Sequence, residues 1–402
     1  MKTQWMIVAV FFLLGLFFRL TVFIEPHAEG DELIYSALVE QLEDGNGYTL
    51  QGTPLVTYGA VDREQYDRKL FFHPPGGIAL FWLSNHFIGP KGIGVVQVLS
   101  YALFFWSMVL LARLLGLTGR SIAVVGALSA FNPIMAHVAT NYWLDGPLLA
   151  FSTFSAALFI RSVVRKSLVS ATVAGVVLGY ASLIKITAVL VIPGVLVMAW
   201  FLLEPPRQGA FIRFAACLVV PAFIVQLPWE VWQWIEFGTP FPGWAGKPSK
   251  TLIESNRYVH FLTVVRSPWI YLTLLPRISW TIAPAIVLYF VAWNNKTVRR
   301  LGFALLVWII TVLAFHVLLG FKGYSKVIRY VILVAPPAVI LFSAAFFEAI
   351  ERLKTVKPSF SRGLYAFIIV VAALAILFEI AAGVKSSLLY DKDLIFPLIG
   401  GL

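Results

Sequence analysis

Charge, cysteine and the common nucleotide and metal motifs are all scarce in this chain. Only 13% of its 402 residues are Asp, Glu, Lys or Arg, against roughly a quarter in soluble domains. The deficit is matched by 59% hydrophobic residues and a mean hydropathy of +0.85, which excludes a soluble globular protein. The single cysteine, Cys217, lies inside an apolar run, so no disulfide forms within the chain and cysteine says nothing about redox compartment. There is no G-x-x-x-x-G-K-[ST] loop, no G-x-G-x-x-G turn, no H-E-x-x-H pair and no cysteine cluster. Nor is there a polar stretch of about 100 residues in which a nucleotide-sugar-binding domain could sit. The chain also lacks a clean internal repeat, which counts against a transporter built from repeated halves.

What remains is apolar sequence in runs of spanning length, at about 5–24, 94–115, 121–140, 146–164, 168–184, 186–203, 213–235, 279–293, 300–320, 330–350 and 363–383. Eleven such runs predict an all-α polytopic membrane protein with about 11 transmembrane helices in a single domain over 1–402. A β-barrel would alternate in polarity instead. The first run is read as a retained span, because Arg19 interrupts it and Pro26-His27-Ala28 makes a poor cleavage site. The net charge of +11 is explained by short cytoplasmic loops holding residues such as Arg161, Arg165, Lys166, Arg299, Arg300 and Arg352. It gives no reason to invoke nucleic acid. The same rule puts two long loops, 25–93 and 236–278, and the tail 384–402 on the non-cytoplasmic side.

The first long loop carries ten of the chain's 20 acidic residues. Within it, Leu33, Ile34, Ala37, Leu38 and Leu42 recur at helical spacing, and Gly45 provides a stop. A short one-faced helix of this kind is expected to lie along the membrane surface. A second one is expected to start at Pro74-Pro75, since proline suits a first helical turn.

Candidate chemistry gathers on that side. Asp31 and Glu32 open the first short helix. Asp31 reads equally as an N-cap and as a carboxylate poised to take a proton from an acceptor hydroxyl. Asp145 sits in a Leu-Asp-Gly-Pro turn between two spans, as turn chemistry favours or as a second acid of the same cavity. His73, fixed by the two prolines after it, could bind a metal, a phosphate or an acceptor, or do nothing. Lys185, Lys322, Lys326 and Arg329 are basic residues on the side that the topology bias disfavours, and an anionic lipid phosphate is their natural partner, although snorkelling at span ends accounts for any one of them. The second long loop offers Asn256, Arg257, Tyr258 and His260 with several aromatics, a composition that covers a sugar or anchors to the interface.

In order, the chain runs Gly30-Asp31-Glu32-x-x-Tyr35, Gly45-x-Gly47-Tyr48, His73-Pro74-Pro75, Asn132-Pro133, Trp143-Leu144-Asp145-Gly146-Pro147 and Lys326-x-x-Arg329-Tyr330 before Ala335-Pro336-Pro337. This ordered set, over residues 5–345, resembles the GT-C glycosyltransferases, and within them the protein O-mannosyltransferase-like group that includes the lipid A aminoarabinose transferases. The resemblance implies a GT-C fold and a membrane enzyme, facing the outside of a bacterial inner membrane, that takes a sugar from a polyprenyl-phosphate donor and gives it to a lipid, glycan or protein acceptor. It implies Asp31 as the base, with Glu32 and Asp145 as further acids of the catalytic set. Lys185, Lys326, Arg329 and Tyr330 would hold the donor phosphate, and Tyr35, His73, Asn256 and Arg257 would serve the acceptor or sugar. Some relatives have Lys before the proline pair and a nearby metal-binding Glu and His. Here the position is His73, which leaves both phosphate contact and a divalent metal at that point open, and the sequence calls for no particular cofactor. A flippase for lipid-linked sugars and a non-catalytic subunit of a glycan-assembly complex are the competing classes.

Overall fold

The computed structural model describes residues 2–23, 31–57, 67, 69–71, 73–238, 267–273, 275–321, 328–355 and 360–388. Their regular structure is helical throughout. The principal helices in chain order are α1 (Lys2–Arg19), α2 (Asp31–Glu43), α3 (Gly76–Ile88), α4 (Gly92–Leu114), α5 (Arg120–Phe131), α6 (Pro133–Ala139), α7 (Asp145–Val164), α8 (Leu168–Ile184), α9 (Ile192–Leu202), α10 (Gln208–Phe237), α11 (Ile282–Val291), α12 (Lys296–Phe321), α13 (Ala335–Thr355) and α14 (Phe360–Leu388). Among the described residues, seven helices are long and apolar enough to cross a membrane, and the bent pair α5–α6 makes an eighth if it is one span. Leu168–Ile184, Ile186–Leu202 and Ile282–Val291 are shorter apolar helices. All eleven apolar runs are therefore helical, and three of them fall below full spanning length.

The breaks that shorten or bend these helices have local causes. Pro133 has no N–H to donate, and the preceding Asn132 turns extended at φ −60°, ψ 127°. Asn132 then caps α6, its Oδ1 accepting from the Met135 N–H at 3.2 Å, and the two pieces meet at 48°. At Lys185 the backbone is again extended, φ −158°, ψ 124°, where α8 gives way to the 3-10 turn Ile186–Val191. A second 3-10 turn, Ile328–Val334, precedes α13, whose Pro336 and Pro337 suit an N-terminal turn.

Helix α13 is the axis of the bundle, with 83% of its spanning window buried by the rest of the chain. It packs against α11, α12 and α5, while α4, α7, α8 and α10 form a second run of neighbours. The α8–α10 contact is close because glycine lets backbone meet backbone: Gly175 lies against Leu218 and Gly179 against Ala222. On the first long loop, α2 packs on α3. Its buried residues are Glu32, Ile34, Tyr35, Leu38 and Val39, while Leu33 is outward. The covered face is thus rotated from the one the apolar spacing suggests, because it follows Asp31 and Glu32 down onto the bundle.

One polar node ties the bend to the last helix. Glu379 on α14 is fully buried, accepts from the Asn132 side-chain amide and accepts from the Trp280 N–H at 2.6 Å. Replacing Glu379 with Ala strands both buried donors. The expected loss is about 2–5 kcal/mol of stability, read as a lower unfolding midpoint of the purified protein, with a smaller loss for Glu379→Gln. An unchanged midpoint in both variants would show that the node does not hold the bend.

Candidate active site

Four charged side chains meet at one end of the bundle, and each comes from a helix boundary. Asp31 is the first residue of α2 and Asp145 the first of α7, where helix N-termini favour anions. Lys185 closes the C-terminus of α8, where cations are favoured. Arg329 projects from the 3-10 turn ahead of α13. Residues separated by up to 298 positions are thereby brought into one cluster.

Asp145 is its buried centre, 1% exposed. Its Oδ1 accepts from Lys185 Nζ at 2.8 Å, and its Oδ2 lies 3.6 Å from Arg329 Nη1. The other Arg329 nitrogen, Nη2, donates to Asp31 Oδ2. Aromatic faces complete the cationic side. The Arg329 guanidinium lies 4.4 Å over the Trp143 ring, and Lys185 Nζ lies 4.7 Å over the Tyr330 ring, contacts that suit partly desolvated cations. Asp31 is the open member, with its side chain 39% exposed. Arg329 Nη1 and Asp145 Oδ2 face each other as an ion pair but neither makes a hydrogen bond.

The electrostatics follow from this arrangement. Burial opposes the charge on Asp31, but Arg329, and after it Lys185, outweigh burial and hold its pKa below the ordinary carboxylate value. Burial lowers His73 to about 4, with Asp31 pulling the other way, so the imidazole is neutral near pH 7. Burial also pushes the Tyr35 hydroxyl well above its usual value, and Asp31 adds to this.

The candidates from the sequence separate into three groups. Asp31, Asp145, Lys185, Arg329 and Tyr330 make the cluster, and Tyr35 and His73 lie within the electrostatic reach of Asp31. Glu32 points elsewhere: it is fully buried and its Oε1 accepts from the Tyr142 N–H at 3.2 Å, which ties α2 to the turn that presents Trp143 and Asp145. Lys322, Lys326, Asn256, Arg257, Tyr258 and His260 lie outside the described residues. Among the described residues no three His, Cys, Asp or Glu side chains come together as a metal site. Trp143, the platform under Arg329, was visible only as part of the Trp-Leu-Asp-Gly-Pro run.

The fold of this all-helical bundle is the GT-C fold, by its likeness to solved structures. Over 96% of this chain it is similar to ArnT from Cupriavidus metallidurans, solved bound to undecaprenyl phosphate (17% identity, TM-score 0.53, 76% of that chain) and in the apo state (16%, 0.55, 78% of that chain). It is also similar to the oligosaccharyltransferase of Archaeoglobus fulgidus tethered with an acceptor peptide containing the NVT sequon, at 13% identity and a TM-score of 0.57. There 96% of this chain covers 55% of the archaeal one. Residues 72–232 match the family described as dolichyl-phosphate-mannose-protein mannosyltransferase, a segment that contains His73, Asp145 and Lys185. No curated protein matches the sequence significantly.

The half-buried, neutral His73 sets a pH dependence. Its folded pKa of about 4 lies below the ordinary 6.5, so the unfolded chain takes up the proton first and stability falls as pH drops from 6.5 towards 4. The loss expected across that window is up to about 3 kcal/mol. His73→Phe should flatten the slope of unfolding free energy in that range. An equal slope in wild type and variant would show that His73 is not held neutral in the folded protein.

Proposed function

We propose that the chain is a membrane glycosyltransferase that moves a monosaccharide from a polyprenyl-phosphate donor to an acceptor hydroxyl, with the cluster facing the non-cytoplasmic side. The observation that carries the reading is the Asp31–Arg329–Asp145–Lys185 cluster at the end of a GT-C bundle. Two cations backed by aromatic faces and fixed by a buried carboxylate suit a phosphate. One partly exposed carboxylate beside them suits an acceptor. The similarity to an ArnT solved with undecaprenyl phosphate supports a prenyl-phosphate donor, and the resemblance of the ordered motifs supports the same roles.

In this reading Lys185 and Arg329 bind the donor phosphate while Asp145 keeps both cations in place. The acceptor oxygen attacks the anomeric carbon as Asp31 takes its proton. The new C–O bond forms on the face opposite the departing oxygen, so the anomer inverts. The bond from the anomeric carbon to the phosphate oxygen breaks, and its electron pair leaves with the polyprenyl phosphate. The sugar passes through an oxocarbenium-like state, and the charge growing on the leaving phosphate is met by cations already positioned in a low-dielectric site.

The ion pairing adds a constraint. Arg329 is paired with Asp31, and a carboxylate so paired is a weak base. A phosphate competing for Arg329 weakens that pair and raises the proton affinity of Asp31. Donor binding therefore prepares the base. Glu32 acts by fixing the Tyr142–Asp145 turn, Tyr330 and Trp143 by flanking the cations, and Tyr35 and His73 by lining the acceptor side of Asp31.

Asp31→Asn should lower transfer from a polyprenyl-phosphate sugar by about 10²–10⁴-fold with the donor KM little changed. Lys185→Met should raise the donor KM instead. Transfer by Asp31→Asn at the wild-type rate would end the base assignment.

A further inference from the structure

We infer a second polar subsite on the inward face of α10, where Gln226, Trp229 and Glu230 bind the hydroxyls of a sugar. The inference rests on the transferase reading and extends its site.

Helix α10 is built with its polarity reversed. Its outward positions are apolar and well exposed, with Phe223 59%, Ile224 59%, Val231 45% and Ile235 77%, as a lipid-facing surface requires. Its inward positions over two turns are polar: Gln226 is 6%, Trp229 4% and Gln233 4% exposed, and Glu230 stands beside them. An ionisable side chain such as Glu230 within a membrane-spanning helix is by default a candidate for a ligand site or pathway.

Their hydrogen bonds are incomplete in one particular way. Gln226 Nε2 donates to Glu230 Oε1 at 2.5 Å, which fixes the two side chains. Among the described residues, three buried atoms here have no hydrogen-bond partner: Gln226 Oε1, Glu230 Oε2 and Trp229 Nε1. Buried polar atoms are normally paired. Two acceptors and one donor call for groups that both donate and accept. An isoprenoid tail offers neither, and an anion is repelled by Glu230. A divalent cation would leave the indole N–H unmet. Hydroxyls of a neutral sugar satisfy all three atoms, and the indole supplies the apolar face that sugar C–H groups prefer.

The position fits an extension of the charged cluster. Helices α8 and α10 run in register, Gly175 against Leu218 and Gly179 against Ala222. One turn further on, Gln226 comes level with the end of α8, and Lys185 follows. On the other side the Trp229 ring lies 6.2 Å from the Tyr48 ring, and the Tyr48 hydroxyl donates to the His73 carbonyl at 3.1 Å. The subsite and Asp31 thus flank the same segment of the first loop. The sugar is the donor's own or part of a glycan acceptor, and both present the same hydroxyls.

The test uses the full chain in lipid nanodiscs free of glycoside detergent, in wild-type, Glu230→Gln and Trp229→Phe forms. The first arm compares affinity for polyprenyl-phosphate mannose with affinity for bare polyprenyl phosphate. The second reads saturation transfer to methyl α-mannoside in the presence of bare polyprenyl phosphate. Loss by both variants of about tenfold of the sugar-dependent affinity, with bare polyprenyl phosphate still bound, assigns the donor sugar to the subsite. Loss of saturation transfer alone assigns an acceptor sugar. Wild-type behaviour of both variants in both arms overturns the subsite. Failure of the wild-type chain to bind polyprenyl phosphate overturns the donor reading instead, and the mannoside arm still reads the subsite by itself.

Discussion

A carboxylate as buried as Asp145 needs cations against it to offset its lost hydration, and here two stand there from different parts of the chain. Removing one member of such a buried set typically costs about 3–5 kcal/mol, because a charge is left uncompensated. That penalty makes Asp145 an organiser. Through Lys185 it sets the end of α8, and through Arg329 it sets the turn ahead of α13, the central helix. Arg329 then reaches Asp31, so the first residue of α2 is placed by the same carboxylate at one remove. The helix ends assist, with acids at two N-termini and Lys185 at a C-terminus.

The balance of charge shapes the chemistry proposed for the cluster. Two acids and two bases leave it close to neutral, so it is not a standing anion trap. Its cations are ordered but engaged, so a phosphate bound as proposed would have to exchange with a carboxylate. Asp31 is the member that can yield, since it is partly exposed and held by one cation, while Asp145 is enclosed by two. Under the proposed function, exchange at Asp31 would link donor binding to base strength. The enclosed pair of Asp145 and Lys185 keeps the geometry through the exchange.

Much of this was legible in the sequence, for a physical reason. A lipid-embedded backbone must satisfy its hydrogen bonds within its own segment, so apolar runs could only be helices, and all eleven are. Asp31, Asp145, Lys185 and Arg329 stood out because charge is rare in such a chain. Their pairing did not show, because residues up to 298 positions apart carry no local signal of contact. Glu32 was grouped with Asp31 by adjacency, yet neighbouring helical residues face different ways, and Glu32 turns to the Tyr142 N–H. Asn132-Pro133 was visible as a motif but not as a bend, since its meaning depends on Glu379, 247 residues away. Trp143 stood in the Trp-Leu-Asp-Gly-Pro run with no role of its own, because the Arg329 guanidinium above it comes from a distant part of the chain.

The most direct measurement is mass spectrometry of the lipids that co-purify with the full chain. A polyprenyl phosphate, bare or carrying a sugar, should be retained by the wild type and depleted in both Lys185→Met and Arg329→Met. Retention of bulk phospholipid alone, or of the same prenyl phosphate in all three proteins, would contradict a phosphate site built from Lys185 and Arg329.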